Sequence, residues 1–207
     1  MDGEWFPWDW GLLYPHAELV ERLKKHDPDV MFFAGDQVYE GASPTRADRE
    51  HAFLDYLYKW YLWCITNRKL TTRVPTIATP DDHDVYHGNV WGAGGKATSP
   101  GLQGADAQDT GGYKMSPEFV NMVQTTQSSH LPDPYDPSPV EQGIGVCFTE
   151  CNIGGLSIAV IEDRKFKSAP KPLFPEAEIY NGWVQNPAWD VKQKSRISNA
   201  VLLGERQ

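Results

Sequence analysis

Asp81, Asp82, His83 and Asp84 put three carboxylates and an imidazole in four consecutive positions, directly after the apolar run VPTIAT. Carboxylates so close together repel one another unless a cation or solvent compensates them, so this cluster reads as functional. A further carboxylate, Asp36, follows Gly35 at the end of another apolar run, residues 30–34, and Tyr39 comes three residues later. A strand that ends in a glycine and then delivers a carboxylate is a common way to place a metal ligand. Hydrolysis of a phosphate ester needs a hydroxide near neutral pH, neutralised phosphoryl oxygens and a proton for the leaving group. Two metal ions about 3.5–4 Å apart meet the first two needs. One carboxylate can bridge the pair, which suits Asp36. The Tyr39 phenolate would be a hard anionic donor that favours a trivalent ion, iron above all. Asp81 or Asp82 would hold the second ion, which leaves His83 to donate the proton. Arg164, at the end of a later apolar run, offers a planar fork for a phosphate oxygen.

Each of these residues also has a plainer reading. Asp36 after a glycine fits an ordinary turn, and Tyr39 fits a packed aromatic. Arg164 fits an ion pair with Glu162 or Asp163. His16, His26 and His51 fall on expected helices and read as surface or core groups, while His87, Asn89 and His130 stay open.

The elements that must position these groups follow from local pattern. Residues 5–14 are aromatic and irregular, without the basic and apolar regions of a signal peptide. Pro15 opens a first helix through Lys25, with Leu19, Val20 and Leu23 at helical spacing, and Pro28 stops it near His26. Residues 30–34 read as a buried strand. Ser43 and Pro44 open a second helix to about Arg68. Phe53, Leu54, Leu57, Tyr58, Tyr61, Leu62 and Ile65 form one apolar face of it; Tyr56, Trp60 and Trp63 form another, so the helix is expected to be covered on most sides. Residues 74–79 read as a second buried strand, with Pro75 arguing against a central position. Residues 92–112 read as a long loop. Ser116 caps a third helix through Gln127, with Phe119, Met122, Val123 and Thr126 on one side. Residues 131–139 are proline-rich, residues 146–149 and 156–161 read as strands joined by a turn at Gly154–Gly155, and residues 170–187 read as irregular. Helices alternating with short strands predict an α/β or α+β fold.

Composition sets limits on partners. The chain of 207 residues is long enough for a sizeable core, and its formal charge of −9 argues against a nucleic-acid backbone as partner. A phosphate-ester small molecule stays compatible with that charge, because bound cations reverse the local field. No apolar run has the length of a membrane span. Cys64, Cys147 and Cys151 are an odd number, so no closed disulfide framework is implied; Cys147 and Cys151 read as buried thiols, with pairing or metal binding as the alternative.

Taken together, these motifs resemble a family. Gly35-Asp36-Gln37-Val38-Tyr39-Glu40 is similar to the GDxxYE signature of PhoD-like alkaline phosphatases, a branch of the calcineurin-like metallophosphoesterases. Asp81-Asp82-His83-Asp84 resembles that branch's DDHE, residues 161–164 its later D-x-R strand, and residues 202–207 its LLG-x-x-Q segment. The resemblance spans residues 29–207. It implies a β-sandwich flanked by helices, a dinuclear centre of Fe(3+) with Ca(2+) or another divalent cation, and hydrolysis of phosphomonoesters or phosphodiesters; a related hydrolase of phosphodiesters or phospholipids is the second enzymatic reading. It assigns Asp36, Tyr39 and one of Asp81 and Asp82 to the metals, His83 to acid catalysis and Arg164 to the phosphate, and it suggests an extracytoplasmic location. Asp84 stands where the family has Glu, and Glu162 where D-x-R has Asp. The family's early strand ligand has no clear match before residue 29, and its remaining His ligands follow LLG-x-x-Q. The chain is therefore expected to be part of the domain, binding metal weakly and hydrolysing slowly or not at all by itself. The reading from another class is a metallophosphoesterase-fold binding domain that has lost catalysis.

Overall fold

A computed structural model describes residues 14–40, 51–87, 92, 96–139, 141–180, 182–185 and 200. The chain divides into two compact units, residues 1–84 and 85–207. The class is mixed, with helices and strands in both units and each sheet a two-stranded pair among the described residues.

In the first unit, helix α1 (Tyr14–Leu23) continues as a 3-10 turn through His26. Asp27, ahead of Pro28, ends it in the left-handed conformation (φ 46°), which Asp tolerates better than most residues. Val20 is buried and Leu23 half-buried, while Leu19 lies exposed. Strand β1 (Met31–Phe33) pairs in parallel with β2 (Thr76–Ala78), with Phe32 opposite Ile77, and α2 (Ala52–Thr71) lies between them in sequence. Parallel neighbours need such a crossover. Pro75 sits just ahead of β2, where it needs no N–H and its carbonyl accepts from Met31 N at 2.9 Å. Ser43 and Pro44, the expected cap of α2, lie outside the described residues.

Two expectations for this unit fail. Strand β1 is not fully buried: Phe32 is 60% exposed, because β1 has one strand partner among the described residues and only its Phe33 side meets α2. Nor is α2 covered on most sides. Its buried stripe is Ala52, Asp55, Tyr56, Lys59, Leu62, Asn67 and Leu70, whereas Phe53, Leu54, Leu57, Tyr58 and Tyr61 are exposed. The Tyr56–Trp60–Trp63 side wins because it meets the sheet: Trp63 stands edge-on to Phe33 at 4.8 Å and stacks on Trp60 at 4.7 Å.

In the second unit, α3 (Gly104–Thr110) occupies part of the expected loop, and Gly111 and Gly112 end it at positive φ. Helix α4 (Pro117–Ser128) begins as expected, with Ser116 Oγ accepting from Phe119 N and Pro117 in the first turn. It buries Phe119, Val120, Val123 and Gln127, while Met122 and Thr126 are half-buried. Strands β3 (Thr149–Ile153) and β4 (Leu156–Val160) form a hairpin through Gly154 and Gly155, both at positive φ. Residues 146–148 are buried but precede β3, so that strand starts later than expected. A short helix, α5 (Pro170–Leu173), and a hairpin of β5 (Ile179–Tyr180) and β6 (Trp183–Val184) stand where irregular chain was expected. The three cysteines are free, with Cys147 and Cys151 buried, and burial pushes both of these thiols up. No helix among the described residues is long and apolar enough to cross a membrane.

Candidate metal-binding site

The ends of β1 and β2 lie side by side because the strands pair in parallel, so the residues after each strand meet. The loop after β1 opens with Gly35 at φ 101° and Asp36 at φ 57°. Gly35 lies so close to the second loop that a Cβ there would sit 2.2 Å from Asp81 Cβ. Two further contacts tie the loops: Thr79 N donates to Phe33 O at 3.1 Å, and Gln37 Nε2 donates to Thr79 O at 3.1 Å.

The result is a cluster of three carboxylates. One oxygen from each of Asp36, Asp81 and Asp82 lies within 4.8 Å of the others. Tyr39 joins them, its hydroxyl donating to Asp36 Oδ2 at 2.8 Å. That hydrogen bond, helped by partial burial and the charges of Asp36, Asp82 and Asp84, pushes the phenol up to about 12. Asp36 Oδ1 is buried and has no hydrogen-bond partner. Asp81 Oδ1 accepts the Asp82 N–H at 2.8 Å. This donor set consists of hard oxygens, the chemistry of Ca(2+), Mg(2+) or Fe(3+) rather than of a soft ion. The three converging carboxylates, with one Asp36 oxygen unpartnered and the other accepting from the Tyr39 hydroxyl, make a set that would suit one such cation.

His83 borders the cluster. Its Nδ1 lies 2.9 Å from Glu40 Oε2, and its ring stacks on Tyr39 with centroids 4.3 Å apart. Partial burial draws the imidazole down, but the Glu40 hydrogen bond and the charges of Glu40, Asp82 and Asp36 outweigh it and raise it above the usual value. A carboxylate at Nδ1 selects the tautomer that carries its proton there and leaves Nε2 for other work.

Asp84 does not belong to the cluster. It is fully buried, with Oδ2 accepting from Asp36 N at 2.7 Å and Asp81 N at 2.9 Å, and Oδ1 accepting from Val38 N at 2.9 Å. From behind, Lys59 of α2 donates to the Tyr39 carbonyl at 2.7 Å and pairs with buried Asp55 at 3.0 Å.

The remaining sequence candidates belong to the second unit, are exposed, or lie outside the described residues. Arg164 belongs to the second unit, where its Nε is 3.8 Å from Asp163 Oδ1, the ion pair that was its plainer reading. Glu162 accepts the backbone N–H groups of Arg164 and Lys165 and pairs with the Lys165 ammonium at 3.2 Å, so it organises that turn. His87 is a buried histidine of the second unit whose Nδ1 accepts Lys114 N at 3.2 Å. His26, His51 and His130 are exposed. Asn89 and residues 202–207 lie outside the described residues, as does the side chain of His16. Sequence reasoning missed the parts played by Glu40, Lys59 and Asp84. A buried-charge signal exists only for Lys59, four residues after Asp55 on one helix face.

No protein-family model, curated protein or solved structure matches this chain.

Proposed function

We propose that the chain carries part of a metal-dependent phosphoesterase centre of the PhoD-like kind, hydrolysing phosphomonoesters or phosphodiesters within a helix-flanked β-sandwich. The observation that supports this most is the meeting of two separate sequence motifs. Asp36 from one strand end and Asp81 and Asp82 from the other converge, and His83 stands beside them. Asp36, which has one buried oxygen without a hydrogen-bond partner, would hold the cations together with Tyr39 and one of Asp81 and Asp82. Bound cations, Fe(3+) with Ca(2+) or another divalent ion, would neutralise the phosphoryl oxygens and supply the nucleophile from water.

The chain's own residues do the rest. Glu40 fixes the His83 ring by Nδ1, so Nε2 is the atom that passes a proton to the leaving oxygen. The raised affinity of that ring for its proton suits an acid working near neutral pH. Tyr39 covers one face of the ring and limits its rotation. Arg164 retains the phosphate-contacting role only as an expectation from the D-x-R resemblance.

Elemental analysis of the purified protein with its visible spectrum tests the reading. Bound iron with a phenolate charge-transfer band that Tyr39→Phe abolishes supports it. A protein that takes up no cation sinks it. Turnover of p-nitrophenyl phosphate or bis-p-nitrophenyl phosphate by the cation-loaded protein would count against the binding-domain alternative.

A further inference from the structure

We propose that Asp84 is a positioning residue that sets the spacing of Asp36 and Asp81, and so the cation affinity of the site, without itself binding a cation. The inference rests on the reading of the cluster as a cation site and adds the device that holds it in shape. A carboxylate taken wholly out of water is costly unless donors surround it. Asp84 is 0% exposed and meets that need with backbone N–H groups drawn from two loops. Its Oδ2 alone receives the amides of Asp36 and Asp81, so one atom bridges the backbones of two prospective ligands. Its Oδ1 receives Val38 N and fixes the turn on which Tyr39 follows. Hydrogen bonds to an ionised acceptor are about twice as strong as neutral ones, and two of these join residues 48 and 46 positions apart in sequence.

The arrangement also explains a conformational cost. Asp36 sits at φ 57°, a left-handed conformation that Asp tolerates better than most residues but that still gains from a partner holding it there. The Asp84 oxygen on the Asp36 amide is such a partner. With both carboxylate oxygens turned to amides, Asp84 stands apart from the three carboxylates that converge. A ligand set must be held to within about 0.5 Å to bind well, and second-layer hydrogen bonds of this kind typically change metal affinity 10–100-fold.

The test is a titration of the purified chain with Tb(3+), a hard cation read by tryptophan- or tyrosine-sensitised luminescence, with Ca(2+) as competitor. Asp84→Asn keeps the shape but turns an acceptor into a donor facing the amides. Val20→Ala, at a buried position of α1 far in sequence from both loops, serves as a destabilised control. The expected result is at least a tenfold weaker Tb(3+) affinity for Asp84→Asn, with its far-UV spectrum intact, and an unchanged affinity for Val20→Ala. Equal affinities for wild type and Asp84→Asn overturn the positioning role alone, as does an equal loss in Val20→Ala. Absence of saturable binding by the wild type overturns the site reading and this inference with it. If Asp84→Asn does not fold, amide hydrogen exchange of the wild type decides. Slow exchange at Asp36, Val38 and Asp81 upholds the clamp, and exchange as fast as at exposed loop amides ends it.

Discussion

Gly35 and Asp81 touch so closely that a methyl group on the former would lie 2.2 Å from Cβ of the latter. Gly35 also holds φ at 101°, where side chains are strained. Gly35→Ala must therefore separate the two loops as well as strain its own backbone. Gly101, at φ 85°, carries the strain without the collision, since nothing lies within 4 Å of its missing Cβ. Gly101→Ala should cost about 1–2 kcal/mol from backbone strain. Gly35→Ala should cost visibly more, of the order of 3 kcal/mol or above, in urea unfolding. Equal losses for the two variants would mean that the loops do not meet as described.

The Tyr39 phenol provides a reading in pH. Held by Asp36, it stays protonated up to about 12, against an ordinary value of 10.0. The folded state thus binds this proton more tightly than the unfolded state does. The associated stability is fully present below pH 10 and is lost as pH rises toward 12. Tyr39 is half-exposed, so the effect on stability is small and the spectrum is the better probe. The ultraviolet difference between wild type and Tyr39→Phe should show one phenol ionising well above the remaining tyrosines. A difference spectrum with an ordinary midpoint near 10 would refute the Asp36 bond.

Lys59 and Asp55 form an ion pair with side chains 10% and 0% exposed, and Lys59 also holds the Tyr39 carbonyl. Removing one partner of a buried pair leaves the other charge stranded, a loss of about 3–5 kcal/mol. Lys59→Met should reach that range in chemical denaturation. The double variant Asp55→Leu/Lys59→Met should recover much of it, because no charge then remains buried. Additive losses in the double variant would show that the pair is not coupled.

These cases show what local pattern can and cannot reveal. Ser116 with Pro117, and Gly154 with Gly155, were legible because a cap and a tight turn depend on residues a few positions apart. The two apolar faces of α2 were legible as well, but not which of them is buried. That choice follows from Trp63 meeting Phe33 and Lys59 reaching Tyr39, contacts made 30 and 20 positions away. Helix α3 was hidden by its composition, since GADAQDT offers no apolar stripe. At the site, the residue types named Asp36, Tyr39, Asp81, Asp82 and His83 as a group. Asp84 looked like one more acid in a run, and only folding turns its oxygens toward amides of another loop.

Glu40 and His83 show the same dependence on distant pairing, and they yield the sharpest test of the acid. Burial lowers the ring's affinity for its proton, whereas the Glu40 hydrogen bond and nearby carboxylates raise it by more. Such a raised value adds stability that is fully present below the unfolded value, near 6.5, and is lost as pH rises through the folded one. Glu40→Gln removes the charge at Nδ1 while keeping an oxygen in reach. The His83 titration, followed by the ring resonances in NMR, should then shift downward, since burial persists and only the weaker pull of Asp82 and Asp36 opposes it. The stability difference between wild type and Glu40→Gln should be largest around and just below pH 6.5 and vanish toward alkaline pH. A His83 midpoint unmoved by Glu40→Gln would show that Glu40 does not hold the ring. The assignment of Nε2 as the proton-donating atom would lose its basis with it.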